Sequence, residues 1–527
     1  MTNRAKSDAT PPQRPRLGVV TAILAIATVA SGSILIVLWR DLWSLVWSQS
    51  TQSLIMVVGL VGVWRYLWWL GHLVRAVIYG RLVFPRRRAR ADALWSCGWR
   101  PQRIHILMTT FRERPETAAA VVRGICGEIR AAGRPAIVWI GSAEAPDEAV
   151  LIKAFRLAGG DLEIDLRIIR QNLPGKRVAL ALLLRAVARE GLGPDDIVAL
   201  IDGDFVLAPG ALNRCLPLFA SDPTLHAVTT DEEALVIGPA WMQSWLSMRF
   251  AQRRIAMQSH ALSGRVMTLT GRFSVFRAKH IVGERFIRLL EADHLDHWLW
   301  GRFRFLSGDD KSTWYALLQH EVTMLYVPDA YGTTIEHIDG SAKRRMVENL
   351  RRWSGNTLRN GWRAIRLGPR RVPPFIWWCL IDQRISIWTT LLGPLLAILG
   401  TIAAGPLFLV GYIVYVAVTR LALACVLFAF TPRIDWNFVW CLYVSQIVTA
   451  VVKLYMIWRL PKQRWSNRGN QRAAGPGGRL VGALRSGMAG YLTLLSCSAL
   501  LLVAGLISGL MPLPRWSLVF LLEGWVR

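Results

Sequence analysis

The stretch "DDIVALIDGDFVL", residues 195–207, decides how this sequence is read. Its centre is a short apolar run, and polar residues gather at the carboxyl end. A run of this length bounded by turn residues reads as a buried strand. Three similar runs precede it: "RIHILMTTF" (103–111), "PAIVWIGS" (135–142) and "LEIDLRII" (162–169). A helical pattern fills 114–132, and "PGKRVALALLLRA" (174–186) reads as another helix. Strands alternating with helices predict an α/β domain with a mainly parallel sheet, whose ligands sit at the strands' carboxyl ends. That rule places Thr109, Thr110, Ser142, Asp202 and Asp204 along one rim.

Outside this domain the sequence turns apolar. Of 527 residues 53% are hydrophobic, yet 19% are charged, a mixture expected of membrane segments joined to a soluble domain. Leu17–Trp39, Ile385–Ala404 and Gly487–Leu513 carry no charge, and each covers the ~20 residues a helix needs to cross a bilayer. Ser53–Val74 and Pro406–Phe430 are two further candidates, with one arginine apiece, Arg65 and Arg420. The first run is longer than the apolar core of a signal peptide.

The net charge of +28 is distributed beside these runs. Arg4, Lys6, Arg14 and Arg16 precede the first; Arg86, Arg87, Arg88 and Arg90 follow the second; Lys343, Arg344, Arg345, Arg351 and Arg352 precede the third. This pattern places the N-terminus and the middle region in the cytoplasm and makes nucleic acid an unnecessary partner. Seven scattered cysteines without a CxxC pair fit a reducing compartment. The resulting plan is a basic tail (1–16), two membrane helices (17–84), a cytoplasmic domain (85–345) and interfacial helices (346–384). A membrane hairpin (385–430), an interfacial segment with a basic loop (431–486) and a last membrane helix with an interfacial tail (487–527) complete it. Asp435–Trp458 is apolar but carries Lys453 and leads into Arg459–Arg485, with seven basic residues and no acidic one. It is therefore expected to lie at the interface, not to cross.

Four polar clusters could carry chemistry. Asp202 and Asp204 alternate along a strand and so face one ligand together. Hard carboxylate oxygens suit Mg²⁺ or Mn²⁺, and a divalent ion suits a diphosphate; a solvated Asp-Gly turn is the plainer reading. Lys176 opens an apolar helix, whose N-terminus attracts phosphate, although an exposed basic helix start looks the same. In "FRFLSGDDKSTWYALL" (303–318), Asp309 and Asp310 could supply a general base or cap a helix. In "NLRRWSGNTLRN" (349–360), Arg352 could neutralise a leaving diphosphate and Trp353 could stack on a sugar, while an amphipathic helix at the membrane needs the same residues.

Order and context decide between these readings. A strand-end DxD, a downstream Gly-Asp-Asp and an Arg-Trp on a helix approaching the membrane form one ordered set, and here the chain resembles the processive family 2 glycosyltransferases of the inner membrane, such as cellulose and hyaluronan synthases. That family's DxD, then TED or GDD, then QxxRW are matched by Asp202/Asp204, Gly308-Asp309-Asp310 and Asn349–Trp353. Its "YNE" is matched by Phe111-Arg112-Glu113 and its basic helix by Gly175-Lys176-Arg177. "VGVWRYLWWLGHLVRA" (61–76), "LTGRFSVFRA" (269–278), "DHWLWGRFRFLSGDDKSTWY" (296–315) and "RWSGNTLRN" (352–360) resemble the alginate-polymerising, mannuronan synthase branch. "KQRWSNRG" (462–469) resembles the gating loop of hyaluronan synthases.

The resemblance implies a GT-A-type cytoplasmic domain in a multi-pass bacterial inner-membrane protein, a processive inverting enzyme that polymerises GDP-mannuronic acid into β-1,4-mannuronan and passes it across the membrane. Asp204, assisted by Asp202, would hold Mg²⁺ or Mn²⁺; Asp310 would deprotonate the acceptor hydroxyl, with Asp309 orienting it or capping the helix. Thr110, Arg112, Glu113, Lys176, Arg352 and Arg468 would serve the nucleotide. Gly271, Arg272, Ser274, Trp353 and Trp465 would line the acceptor and channel side, and Arg302 and Arg304 could guide a polyuronate. Implied partners are the nucleotide-sugar donor, the growing polysaccharide, membrane lipids, a separate cyclic-di-GMP-binding co-polymerase subunit and an envelope secretion complex. Two departures stand out: Asn349 replaces the glutamine of QxxRW, and "WIGSAE" lacks the aspartate pair with which many members hold uracil. A synthase of another, cellulose- or hyaluronan-like polymer is the alternative, and a non-catalytic nucleotide-binding scaffold is a remote one.

Overall fold

A computed structural model describes residues 49–172, 175–465, 471–472 and 478–511. The expected first span, Leu17–Trp39, lies outside these residues.

The soluble domain is built on a sheet of eight strands. In chain order they are β1 (Ile104–Thr109), β2 (Ala136–Ser142), β3 (Ile164–Arg170), β4 (Ile197–Asp202), β5 (Phe205–Leu207), β6 (Leu225–Ile237), β7 (Phe273–Arg277) and, after a small two-stranded ribbon β8 (His294–His297) and β9 (Gly301–Arg304), β10 (Thr323–His337). The spatial order is β3-β2-β1-β4-β7-β6-β10-β5. The first four strands are parallel, as are β6 and β10, while β7 and β5 run antiparallel to their neighbours. The domain is thus a GT-A-like, mostly parallel sheet. Its central parallel strands β1, β2 and β4 read as nearly unbroken apolar runs because helices cover both faces. Every residue of β1 is buried, and so is β4 up to Asp202.

The helices α1 (Gln49–Ile78), α2 (Phe84–Ser96), α3 (Pro115–Ala132), α4 (Ala145–Ala158), α5 (Lys176–Arg189), α6 (Leu216–Ser221), α7 (Ala240–Ala261), α8 (Glu284–Ala292), α9 (Asp309–Leu318) and α10 (Ala342–Arg366) lie between or flank these strands. Helix α5 sits tightly on the sheet: a Cβ on Gly141 would come within 3.1 Å of Ala179 Cβ. In the register of β1 and β4, Thr109 stands beside Asp202. The chain leaving β4 then crosses the end of β1 so closely that a Cβ on Gly203 would lie 3.0 Å from the Thr109 carbonyl oxygen. Only glycine permits that crossing, and it sets Asp202 and Asp204 at the carboxyl rim.

The helices α11 (Pro374–Ala404), α12 (Pro406–Phe428), α13 (Phe438–Ile457) and α14 (Arg479–Ile507) form the apolar part. All four are long and apolar enough to cross a membrane. Exposed Leu60, Val63, Leu67, Ile402, Ile413 and Leu494 face outward from the bundle, where hydrocarbon suits them. For 431–486 the structure adds a detail to the interfacial expectation. Helix α13 runs unbroken, and elements at both of its ends dock on the soluble domain. The Asn437 amide donates to Ser244 Oγ (3.3 Å), Trp300 Nε1 donates to the Trp458 carbonyl (2.9 Å) and Arg359 Nη1 donates to the Leu460 carbonyl (2.9 Å).

Candidate active site

The rim of the sheet gathers carboxylates around one ammonium. Lys176, the first residue of α5, places Nζ 2.6 Å from Asp202 Oδ1 and 2.9 Å from Asp309 Oδ2. A single cation therefore joins the strand-end DxD to the Gly-Asp-Asp turn. The same Nζ donates to the Gly271 carbonyl at 3.2 Å. A Cβ on Gly271 would lie 3.0 Å from Lys176 Nζ and 3.2 Å from Asp309 Oδ2, so a side chain there would press on the charged group.

The Gly-Asp-Asp turn is held by groups that the sequence reading passed over. Gly308 has φ +87°, and a Cβ on it would lie 2.7 Å from Asn356 Cγ of α10. Left-handed backbone and lack of space both demand glycine. Ser307 Oγ donates to Asn356 Oδ1 at 3.0 Å. From beneath, the buried Arg177 donates to the Leu290 carbonyl (2.8 Å), the Ser307 carbonyl (3.0 Å) and Ser312 Oγ (2.9 Å). Arg177 thus fixes the turn while its neighbour Lys176 meets the carboxylates. The capping reading of Asp309 needs correction: Gly308 occupies the cap position with no side-chain cap, and both aspartates lie in the first turn, with Asp309 committed to Lys176.

Burial and crowding set the protonation of this cluster. Burial raises the Asp202 pKa to about 6, with the Asp204 and Asp309 charges adding to the rise against the pull of Lys176. Burial also pushes Asp309 upward, but the Lys176 and Arg177 cations outweigh it and its pKa falls below the usual carboxylate value. Asp310 goes the other way, raised by burial and then by the Asp309 charge. Two adjacent carboxylates therefore differ: Asp309 is a fixed anion, and Asp310 is the better proton acceptor. Burial disfavours the Lys176 charge, yet Asp202 and Asp309 more than offset this and shift its pKa upward.

The remaining expected residues fall into place unevenly. The Asp202 N–H donates to the Arg272 carbonyl at 2.9 Å, so Arg272 adjoins the site. Its guanidinium turns to Glu232 (2.9 Å), which Arg253 holds from the other side (3.1 Å). Ser274 is buried and donates to the Thr270 carbonyl at 2.7 Å. Through this bond it braces the Gly271 loop from β7. Thr110 is buried beside Gly203, its N–H donating to the Gly141 carbonyl at 3.1 Å. Arg112 pairs with Glu144 at 2.7 Å, and its N–H donates to Asp147 Oδ2 at 2.7 Å; it serves the outer rim of α4, with half-buried Glu113 next to it. Arg352 Nη2 donates to Asn349 Oδ1 at 3.4 Å. Trp353 stacks on Trp245 with ring centroids 5.9 Å apart. Arg468 lies outside the described residues, and of Trp465 only the backbone is described, in a short strand pairing with 471–472.

The chain is similar to known proteins over most of its length. The description "Glycosyltransferase like family 2" fits residues 101–356. The glycosyltransferase alg8 of Pseudomonas syringae pathovar tomato is 38% identical over 426 residues, 80% of this chain and 86% of that protein. The chain belongs to glycosyltransferase family 2. Glycosyltransferase alg8 of Azotobacter vinelandii is 37% identical over 428 residues, again 80% and 86% of the two chains. Among solved structures, the mannosyltransferase PcManGT from Pyrobaculum calidifontis, in complex with GDP-Man and Mn²⁺, covers 72% of this chain and 98% of its own, with 16% identity and a TM-score of 0.42. This glycosyltransferase is a membrane protein with a soluble catalytic domain. Sequence reasoning missed Asn356 and Glu232, buried polar residues within polar stretches, and it read Arg177 only as part of a basic helix start, not as the brace of the Gly-Asp-Asp turn. An arginine within the apolar opening of α5 was the one signal that could have exposed that role.

Proposed function

We propose that this glycosyltransferase polymerises a GDP-linked uronic acid, GDP-mannuronic acid, into β-1,4-mannuronan with inversion at each anomeric carbon. The observation that carries the reading is the Lys176 bridge, which brings Asp202 of the DxD within reach of the Gly-Asp-Asp turn. Asp310 takes the proton of the acceptor hydroxyl as that oxygen bonds to the anomeric carbon; the bond to the donor diphosphate breaks, and the nucleotide leaves with its electron pair. Lys176 and Arg352 offset the charge of the departing group. Asp202 and Asp204 fit a hard divalent cation, Mg²⁺ or Mn²⁺: the Asp202 carboxylate is recessed, crowded by like charge and raised in pKa as a result. Such an ion supplies Lewis-acid neutralisation of the diphosphate when bound. The alg8 relatives and the sequence resemblance support the donor class.

The protein is read as a multi-pass protein of the bacterial inner membrane, with α13 lying along the cytoplasmic interface. Contacts at both of its ends, Asn437 to Ser244 and the Trp458 and Leu460 carbonyls to Trp300 and Arg359, support this reading. Cysteines placed at Arg433 and Lys462 should both react with an impermeant reagent from the cytoplasmic side; labelling from opposite sides would mean that α13 crosses. A cyclic-di-GMP-binding co-polymerase subunit and a secretion complex complete the proposed assembly.

The donor assignment is tested in membrane vesicles supplied with labelled GDP-mannuronate, UDP-glucuronate or UDP-glucose in parallel. Polymer from GDP-mannuronate alone is expected. Polymer from a UDP-sugar, with none from GDP-mannuronate, would replace it with the alternative synthase reading.

A further inference from the structure

Where α1, α7 and α11 meet, the fold brings together two histidines and a cysteine that the active site does not use. His72 lies near the end of the apolar run Ser53–Val74 on α1, His260 is the penultimate residue of α7, and Cys379 falls in the second turn of α11. One donor atom from each residue lies within 4.8 Å of the other two. His72 Nε2 and Cys379 Sγ are 3.8 Å apart, and the two imidazole rings meet edge to face with centroids 5.5 Å apart. The three residues are remote in sequence, so only tertiary structure assembles them.

Their surroundings leave them little else to bind. Cys379 and His260 are 4% and 6% exposed, and His72 is half-buried. Trp68 and Phe375 stand against His72, with ring centroids 4.9 and 5.2 Å away. Nδ1 of His72 and Nδ1 of His260 are both buried without a hydrogen-bond partner. Buried polar groups are normally paired, so bare ring nitrogens in an aromatic wall call for a partner from outside the chain. Burial first, then the neighbouring His72, Lys311 and Arg75, drives the His260 pKa well below the ordinary imidazole value, so its ring is neutral and has a lone pair to give. Arg75 lies 3.7 Å over the Phe375 ring and donates to the Ser259 carbonyl (3.2 Å) and Ser263 Oγ (2.5 Å). These partners are uncharged, and a thiolate at Cys379 would balance its charge.

We infer that His72, His260 and Cys379 form a zinc site of two neutral imidazoles and one thiolate, with the fourth position left to water. Zn²⁺ accepts such a mixed nitrogen and sulfur set. With Zn–N of about 2.0–2.1 Å and Zn–S of about 2.3 Å, tetrahedral ligand atoms stand roughly 3.3–3.6 Å apart. The His72–Cys379 pair is already close to that spacing, and no pair has more than about 1.5 Å to close. Cys379 releases its thiol proton to solvent on binding. Because the ligands come from three helices, the ion ties the end of α7, in the soluble domain, to α1 and α11. It acts as a clamp at this junction and takes no part in sugar transfer, so the inference stands apart from the proposed donor and product.

The probe is Co²⁺, a spectroscopically visible substitute for Zn²⁺, titrated into the chelator-stripped full chain in lipid nanodiscs. The wild type should develop a thiolate-to-cobalt charge-transfer band in the near ultraviolet, with visible bands of tetrahedral intensity, and Zn²⁺ should bleach both. The carboxylates of the rim cannot produce the thiolate band, so D202N/D204N should keep it. C379S should lose it while GDP binding stays unchanged, which shows that the catalytic domain is folded. H260Q should weaken Co²⁺ binding about tenfold or more. Zn²⁺ should raise the thermal midpoint of the wild type and leave that of C379S unmoved. Absence of the band in the wild type, its survival in C379S, or unchanged binding in H260Q would overturn the assignment.

Discussion

At the carboxyl rim, Asp202 and Asp309 meet the ammonium of Lys176, with Asp204 and Asp310 next to them in the chain; in a cavity among the membrane helices, Arg65, Arg249, Arg420 and Lys453 line one space with Asp382 behind the first of them. The two regions are opposite in sign and alike in imbalance. At the rim the excess is negative, and it shows in the raised pKa values of Asp202 and Asp310. A divalent cation and a proton are the species that relieve such an excess. In the cavity the excess is positive. The contrast separates the two regions by what each can hold: under the proposed function the rim is where a metal ion can stand between a diphosphate and the aspartates, whereas the cavity offers no carboxylate to a metal among its described lining residues.

The largest effect should come from the rim's cation-holding pair. Asp202→Asn with Asp204→Asn should cut transfer by about 10³-fold or more, the scale of losing several kcal/mol of transition-state charge stabilisation. Transfer close to the wild-type rate would take the metal out of the rim's side of the comparison. A middling effect belongs to Gly308→Ala. The left-handed backbone costs ~1–2 kcal/mol for a side chain, and the Cβ must displace Asn356 besides. Lower thermal stability together with reduced transfer is expected, because the turn and α10 shift as a unit. Smallest is a shift in pH profile. Asp202 and Asp310 act as carboxylates, and their pKa values are raised, so activity is present above those values and is lost as pH falls through them, about 6 for Asp202. Asp309→Asn removes the like charge beside Asp310 and should move the acid limb to lower pH. An unmoved limb would detach Asp310 from it.

Much of this was legible in advance, and the failures have physical causes. The strands β1, β2 and β4 read as nearly continuous apolar runs because both faces are covered, so periodicity could not confuse them with amphipathic helices, whereas the edge strand β3 is only partly buried. The DxD was visible because it interrupts such a run. By contrast, β6 carries Asp231, Glu232 and Glu233, to which no role was given from sequence, yet Asp231 and Glu232 are buried and all three pair with Arg253, Arg254 or Arg272. A pairing of residues remote in the chain leaves no local trace. Lys176 was noticed for phosphate, and its pairing with two aspartates is likewise a tertiary fact. The bond of Ser274 to the Thr270 carbonyl was not legible either, because the face of β7 depends on its antiparallel insertion between β4 and β6.

The most direct test of the convergent site is Asp310→Asn, assayed for single-turnover transfer alongside donor binding in the same preparation. A general base contributes ~10²–10⁴-fold, so transfer should fall by that factor while donor affinity stays near that of the wild type. Transfer at the wild-type rate from a folded, donor-binding variant would contradict the account.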